Sequence, residues 1–178
     1  MFSIVFPGQG SQKIGMVKEF YEKYDLAKRL FKDADAILNV PITKIIFEGP
    51  ENKLNSTENT QPAIFLASYC IFEIIKKEFG YDFKKFKYFA GHSLGEYSAL
   101  ACAGSISFEE TLKILQKRGK FMQEAVPNGE GAMLAVLGIA SKELDKILEM
   151  NSKKYECFVA NDNSNLQVVV SGLKKDIN

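Results

Sequence analysis

Residues 88–104 read "YFAGHSLGEYSALACAG", and the Gly-His-Ser-Leu-Gly at its centre constrains the fold more than any other stretch. An apolar strand, "KYFAG" (87–91), runs into it, and a helix of small residues, "LGEYSALACAG" (94–104), runs out. A strand that must turn sharply into a closely packed helix needs residues without a Cβ on either side of the turn. Gly91 and Gly95 meet that need, and Ser93 between them matches G-x-S-x-G, the pattern of a nucleophile elbow. The expectation is an α/β domain with a parallel sheet and the Ser93 hydroxyl raised above the strand ends. An ordinary glycine-rich turn is the alternative reading.

An elbow serine also implies an anion site. The amide of Leu94, at the N-terminus of the following helix, faces the oxygen that becomes negative during acyl transfer. A second donor is usually supplied by a loop after another strand. Here "FSIVF" (2–6) is an apolar strand stopped by "PGQGSQ" (7–12). That loop lacks the third glycine of G-x-G-x-x-G, because position 13 is Lys, and no Gly-Lys-Ser/Thr follows. Its remaining role is a turn that could bring the Gln9 amide towards Ser93, although spacing alone favours an ordinary turn. His92, the single histidine, adjoins the serine. Side chains of consecutive residues diverge at a sharp turn, so His92 is not expected to reach the hydroxyl as its general base. A serine without a base is a weak nucleophile, so a partner is needed from elsewhere.

Helices are expected at about 15–24 and 26–38, where Leu26, Leu30, Ala34 and Leu38 repeat at helical spacing. The polar "GPENKLNSTENTQ" (49–61) reads as loop, with Thr60 before Pro62 starting a buried helix over 63–79. Ser107 and Glu110 form a capping box for a helix running to about Ala125. Pro127, Asn128, Gly129 and Gly131 mark a boundary. Beyond it come strand "AMLAVLG" (132–138), helix "SKELDKILEM" (141–150), strand "YECFVA" (155–160), turn "NDNSN" (161–165) and strand "LQVVVSG" (166–172). Strand–helix–strand–strand is the first part of a ferredoxin-like α+β unit. The expected architecture is therefore a larger hydrolase-like α/β domain at 1–126 and a ferredoxin-like subdomain at 127–178, both incomplete in this chain.

Composition excludes several functions. The 23 basic and 22 acidic residues in 178 leave no net field to gather nucleic acid or an anionic membrane surface. No apolar run approaches the ~18 residues of a membrane span, and no basic region precedes an apolar one at the N-terminus. Cys70, Cys102 and Cys157 are scattered and odd in number, which reads as buried free thiols in a reducing, cytoplasmic compartment. With one histidine they cannot supply a structural metal site, and no metal or cofactor is expected. Among the basic residues only Arg29 and Arg118 are arginines. Composition alone reads both as solvated helix cations.

Taken together, "FPGQGSQ", "GHSLGEYSAL", "RGKFMQEAVP" and "NLQVVVSG" resemble the malonyl-CoA:acyl carrier protein transacylases of fatty acid synthesis and the acyltransferase domains of polyketide synthases. The resemblance runs the length of the chain. It implies a two-step transfer: a serine takes malonyl from malonyl-CoA and passes it to the phosphopantetheine thiol of acyl carrier protein. By this resemblance Ser93 is the nucleophile, the Gln9 and Leu94 amides form the oxyanion hole, and His92 lies beside the acyl group. Arg118 matches the arginine that binds the malonyl carboxylate, a task suited to a planar guanidinium fork. Arg29 has no counterpart and stays on the surface. The family's general-base histidine follows the ferredoxin-like subdomain, so it is expected beyond residue 178. The chain alone is then expected to be nearly inactive and prone to aggregate through uncovered apolar surface. Two rival functions remain open at this level: a serine hydrolase or thioesterase, and a truncated chain acting only as a binding module.

Overall fold

The structure, a computed structural model, describes residues 2–126 and 129–177. Pro127 and Asn128, on which the sequence places a boundary, lie outside the described residues. The chain divides into two compact units, Met1–Met122 and Gln123–Asn178.

The first unit opens with strand β1 (Phe2–Phe6), followed by helices α1 (Lys18–Lys23), α2 (Asp25–Leu38), α3 (Ile42–Glu48), α4 (Glu51–Asn55) and α5 (Thr57–Glu78). Strand β2 (Phe86–Gly91), α6 (Leu94–Cys102) and α7 (Phe108–Ala125) complete it, α7 running on into the second unit. Strands β1 and β2 pair in parallel, with Ile4 opposite Phe89, Val5 opposite Ala90 and Phe6 opposite Gly91. Because both strands run the same way and stop level, the loops that leave them emerge side by side, where ligands bind in open α/β sheets. Ile4, Phe6 and Phe89 pack on Phe72 of α5 and on Ala99 and Cys102 of α6. On the opposite face of the pair, Val5 is 76% exposed and Tyr88 54%.

Helix α5 organises the main core. Ala63, Ile64, Phe65, Leu66, Cys70 and Ile74 are all buried, as expected of a helix that is apolar around its whole circumference. Around it Phe31, Phe47 and Tyr21 form an aromatic cluster, with the Phe31 and Phe47 rings stacked at 5.2 Å. The capping box before α7 is formed: the Glu110 amide donates to Ser107 Oγ at 3.1 Å, and the Ser107 amide to Glu110 Oε2 at 3.2 Å.

The structure corrects the reading of residues 49–61. Helix α4 occupies Glu51–Asn55 and α5 begins at Thr57, so Thr60 lies inside the helix and Pro62 in its second turn. Thr60 and Gln61 are fully buried. Their polarity, which mimics a loop, is satisfied internally: Thr60 Oγ1 donates to the Leu54 carbonyl at 2.6 Å. Pro62 has no N–H to give the Glu58 carbonyl, and the surrounding packing carries the helix across that gap. The short helix α3, absent from the sequence reading, is held by burial of Ile42, Ile45 and Ile46.

The second unit contains β3 (Gly131–Leu137), α8 (Ser141–Asn151), β4 (Cys157–Ser164), β5 (Gln167–Leu173) and a terminal turn of helix, α9 (Lys174–Ile177). Its strands lie in the order β3-β5-β4, all antiparallel, with Leu144, Val168 and Val170 as the core. The stretch "NDNSN" is not a turn. Asn161, Asp162 and Ser164 pair with β5, and two register shifts absorb residues that fit a strand poorly. The turn itself is only Asn165-Leu166. Cys70 and Cys102 are buried, and burial pushes both thiols up to about 12. Cys157 was expected to be buried too, but it is only partly so, because β4 is an edge strand of this sheet.

Candidate active site

Ser93 sits between β2 and α6 with φ 55° and ψ −113°. A side chain rarely adopts a positive φ, and strain of this kind persists only where the surroundings impose it. Here the surroundings are backbone. A Cβ on Gly91 would overlap the carbonyl carbon of Gly95, and one on Gly95 would run into the carbonyl oxygen of Phe6. The helix thus crosses both strands at backbone contact, which holds the serine at the turn. Gly95→Ala is expected to destabilise the protein by on the order of 3 kcal/mol through overpacking against main chain that has nowhere to go. Thermal unfolding measures this, and an unchanged midpoint would show that α6 can shift off β1 without cost.

Leu94 is the first residue of α6 and its side chain is fully buried. The amides of Gly95 and Glu96 turn inward to the His92 and Ser93 carbonyls, while the amide at a first helical position has no carbonyl within its own helix to meet. The turn after β1 is braced from within. Ser11 Oγ donates to the Gly8 carbonyl at 2.8 Å, and the Gly10 amide donates to Gln12 Oε1 at 2.8 Å. Gln12 Nε2 in turn donates to Asn55 at the end of α4. The His92 amide donates to the Phe6 carbonyl at 3.1 Å, joining the two turns. The His92 ring lies against Gly8, with Nδ1 2.6 Å from where a Gly8 Cβ would stand.

Arg118 reaches the elbow from α7. Its Nη2 donates to Ser93 Oγ at 3.1 Å, and its Nη1 donates to Gln61 Oε1. The guanidinium also lies over the Tyr97 ring, 5.9 Å from the centroid. Helix α7 comes this near because Gly119, next in sequence, lets it pass α5 at backbone distance. A Cβ there would lie 2.6 Å from the Glu58 Cα. Gln61 Nε2 then donates to Gln9 Oε1 at 3.2 Å. Ser93, Arg118 and Gln9, read separately from the sequence, are therefore linked by hydrogen bonds, with Gln61 as the member that sequence reasoning missed. Its one sequence signal is an amide within a polar run directly before a long apolar helix. Arg29, by contrast, is exposed on α2.

The family model described as "Acyl transferase domain" matches residues 3–178. The chain belongs to the acyl transferase family. Among curated members of that family it is 44% identical over 177 residues to the malonyl CoA-acyl carrier protein transacylase of Bacillus subtilis (strain 168), covering 98% of this chain and 54% of that protein. The solved structure of the Coxiella burnetii transacylase of the same name superposes with a TM-score of 0.91 at 41% identity, covering 99% of this chain and 55% of that one. A malonyl-transacylase in complex with its type II polyketide acyl-carrier protein superposes at 0.90 with 38% identity, over 99% and 56% of the two chains. This acyl transferase chain thus spans about half the length of the curated relatives it matches. Among its described residues, no helix is long and apolar enough to cross a membrane.

Proposed function

We propose that the full-length protein transfers a malonyl group from malonyl-CoA to the phosphopantetheine thiol of acyl carrier protein, in the cytoplasm, as part of fatty acid synthesis. The observation that carries this reading is the Arg118 guanidinium, hydrogen-bonded at 3.1 Å to the hydroxyl of a strained elbow serine. A cation at that position suits an acyl group that ends in a carboxylate. A hydrolase of neutral acyl groups has no use for it.

In this reading Ser93 Oγ attacks the thioester carbonyl, and the tetrahedral oxyanion is met by the amides of Leu94 and Gln9. The carbon–sulfur bond breaks, coenzyme A leaves as its thiol, and malonyl remains as an ester on Ser93. The pantetheine thiol of the carrier protein then attacks that ester by the same path and regenerates the serine. Arg118 holds the distal carboxylate through both steps, and His92 lines the acyl site. Its ring lies against Gly8, in the turn after β1. The general base is assigned to a residue outside 1–178. The named relatives support the substrate, and the neighbour bound to an acyl-carrier protein supports the acceptor.

The test compares two fates of malonyl-CoA in the full-length protein. Transfer to acyl carrier protein should exceed hydrolysis by a wide margin. Hydrolysis that matches or outpaces transfer would make the protein a thioesterase and overturn the reading.

A further inference from the structure

Gln61 is wholly buried near the start of α5, and a buried amide needs a partner for each end of its dipole. Its Oε1 accepts from Arg118 Nη1 and its Nε2 donates to Gln9 Oε1. These two bonds join Gln61 to residues 57 and 52 positions away in the chain. The amide has one usable orientation, because a guanidinium offers only donors and so must face the carbonyl end.

We propose that Gln61 is a specificity-determining positioning residue, which orients the Arg118 guanidinium at the elbow without cancelling its charge. The proposal rests on the reading of Arg118 as the carboxylate-binding residue. A glutamate at 61 would hold Nη1 more strongly, but its carboxylate would compete with that of the substrate for the same cation. It would also lose the N–H that secures Gln9. An apolar side chain would leave the half-buried guanidinium and the Gln9 amide without the bonds that Gln61 supplies. Glutamine accepts from the cation, donates to the turn after β1 and carries no charge of its own. With Nη1 occupied in this way and the Tyr97 ring beside the guanidinium, Nη2 is the amine directed at Ser93. One amide thereby secures both the carboxylate-binding arginine and the turn that bears Gln9.

The experiment measures malonyl and acetyl transfer by the full-length protein carrying Gln61→Glu, alone and with Arg118→Ala. Gln61→Glu is expected to lower the malonyl-to-acetyl ratio of kcat/KM by about 10- to 100-fold, the worth of a hydrogen bond to a charged group. The loss should enter through a raised KM for malonyl-CoA. On top of Arg118→Ala the same substitution should leave the ratio where Arg118→Ala alone puts it. If Gln61→Glu lowers the unfolding midpoint, Gln61→Asn carries the same expectation, since it keeps the amide but withdraws it by one methylene. Equal losses for both acyl groups, or an undiminished effect in the Arg118→Ala background, would overturn the proposal. An unchanged ratio in Arg118→Ala itself would overturn the carboxylate reading beneath it.

Discussion

Ser93→Ala in the full-length protein is expected to abolish the malonyl ester and to lower transfer by about 10³-fold or more, as removal of an activated nucleophile does. Brief incubation with malonyl-CoA, followed by peptide mass spectrometry, should find the ester on Ser93 in the unaltered protein and nowhere in the variant. The substitution is well suited to isolate chemistry from folding. Serine already carries a Cβ at φ 55°, so alanine adds no new clash, and the hydroxyl removed is on an exposed residue. The unfolding midpoint should therefore stay close to that of the unaltered protein. The competing nucleophiles are poorly placed, because the buried Cys70 and Cys102 thiols are held protonated up to about 12, and the thiolate is the reactive form. A malonyl label on any cysteine, with Ser93 clean, would overturn the mechanism.

Arg118→Ala should cost malonyl transfer far more than acetyl transfer. Losing one partner of a buried charge-assisted pair costs about 2–5 kcal/mol, roughly 30-fold to several thousandfold in kcat/KM. Arg118 is only half-buried, so solvent screening puts the expectation at the lower end of that range. Arg118→Lys makes the sharper comparison. It restores the charge but cannot offer one amine to Gln61 and another to the acyl site in a fixed fork, so it should recover only part of the malonyl preference. Equal losses for malonyl and acetyl in Arg118→Ala would place the residue in a structural role through its hydrogen bond to Gln61 and its position over the Tyr97 ring.

Much of the fold was legible from local pattern. Apolar strands at 2–6 and 87–91, the glycine-framed serine, the capping box at Ser107 and the strand–helix–strand–strand of the second unit all appear in place. Each depends on neighbours within a few residues, where spacing, caps and glycines report directly on backbone geometry. The errors lie where local chemistry and burial disagree. Residues 49–61 are polar and read as loop, yet Glu51–Asn55 and Thr57–Gln61 are helical, because Thr60 and Gln61 are buried, Thr60 bonded to the Leu54 carbonyl and Gln61 to Gln9 far away in the chain. "NDNSN" reads as a turn, yet most of it pairs with a valine-rich strand that accommodates it through shifts in register.

The sequence by itself determined that Ser93 would stand at a strand-to-helix elbow, since only glycine fits where backbone meets backbone on either side of it. It also singled out Arg118, by resemblance. It could not say that these two side chains touch, or that Gln61 joins Arg118 to Gln9. Those contacts come from the parallel pairing of β1 with β2, which sets the two turns side by side, and from α7 passing α5 at Gly119. Both arrangements bring together residues dozens of positions apart. No local propensity encodes such meetings, and only the packing of the whole unit decides them.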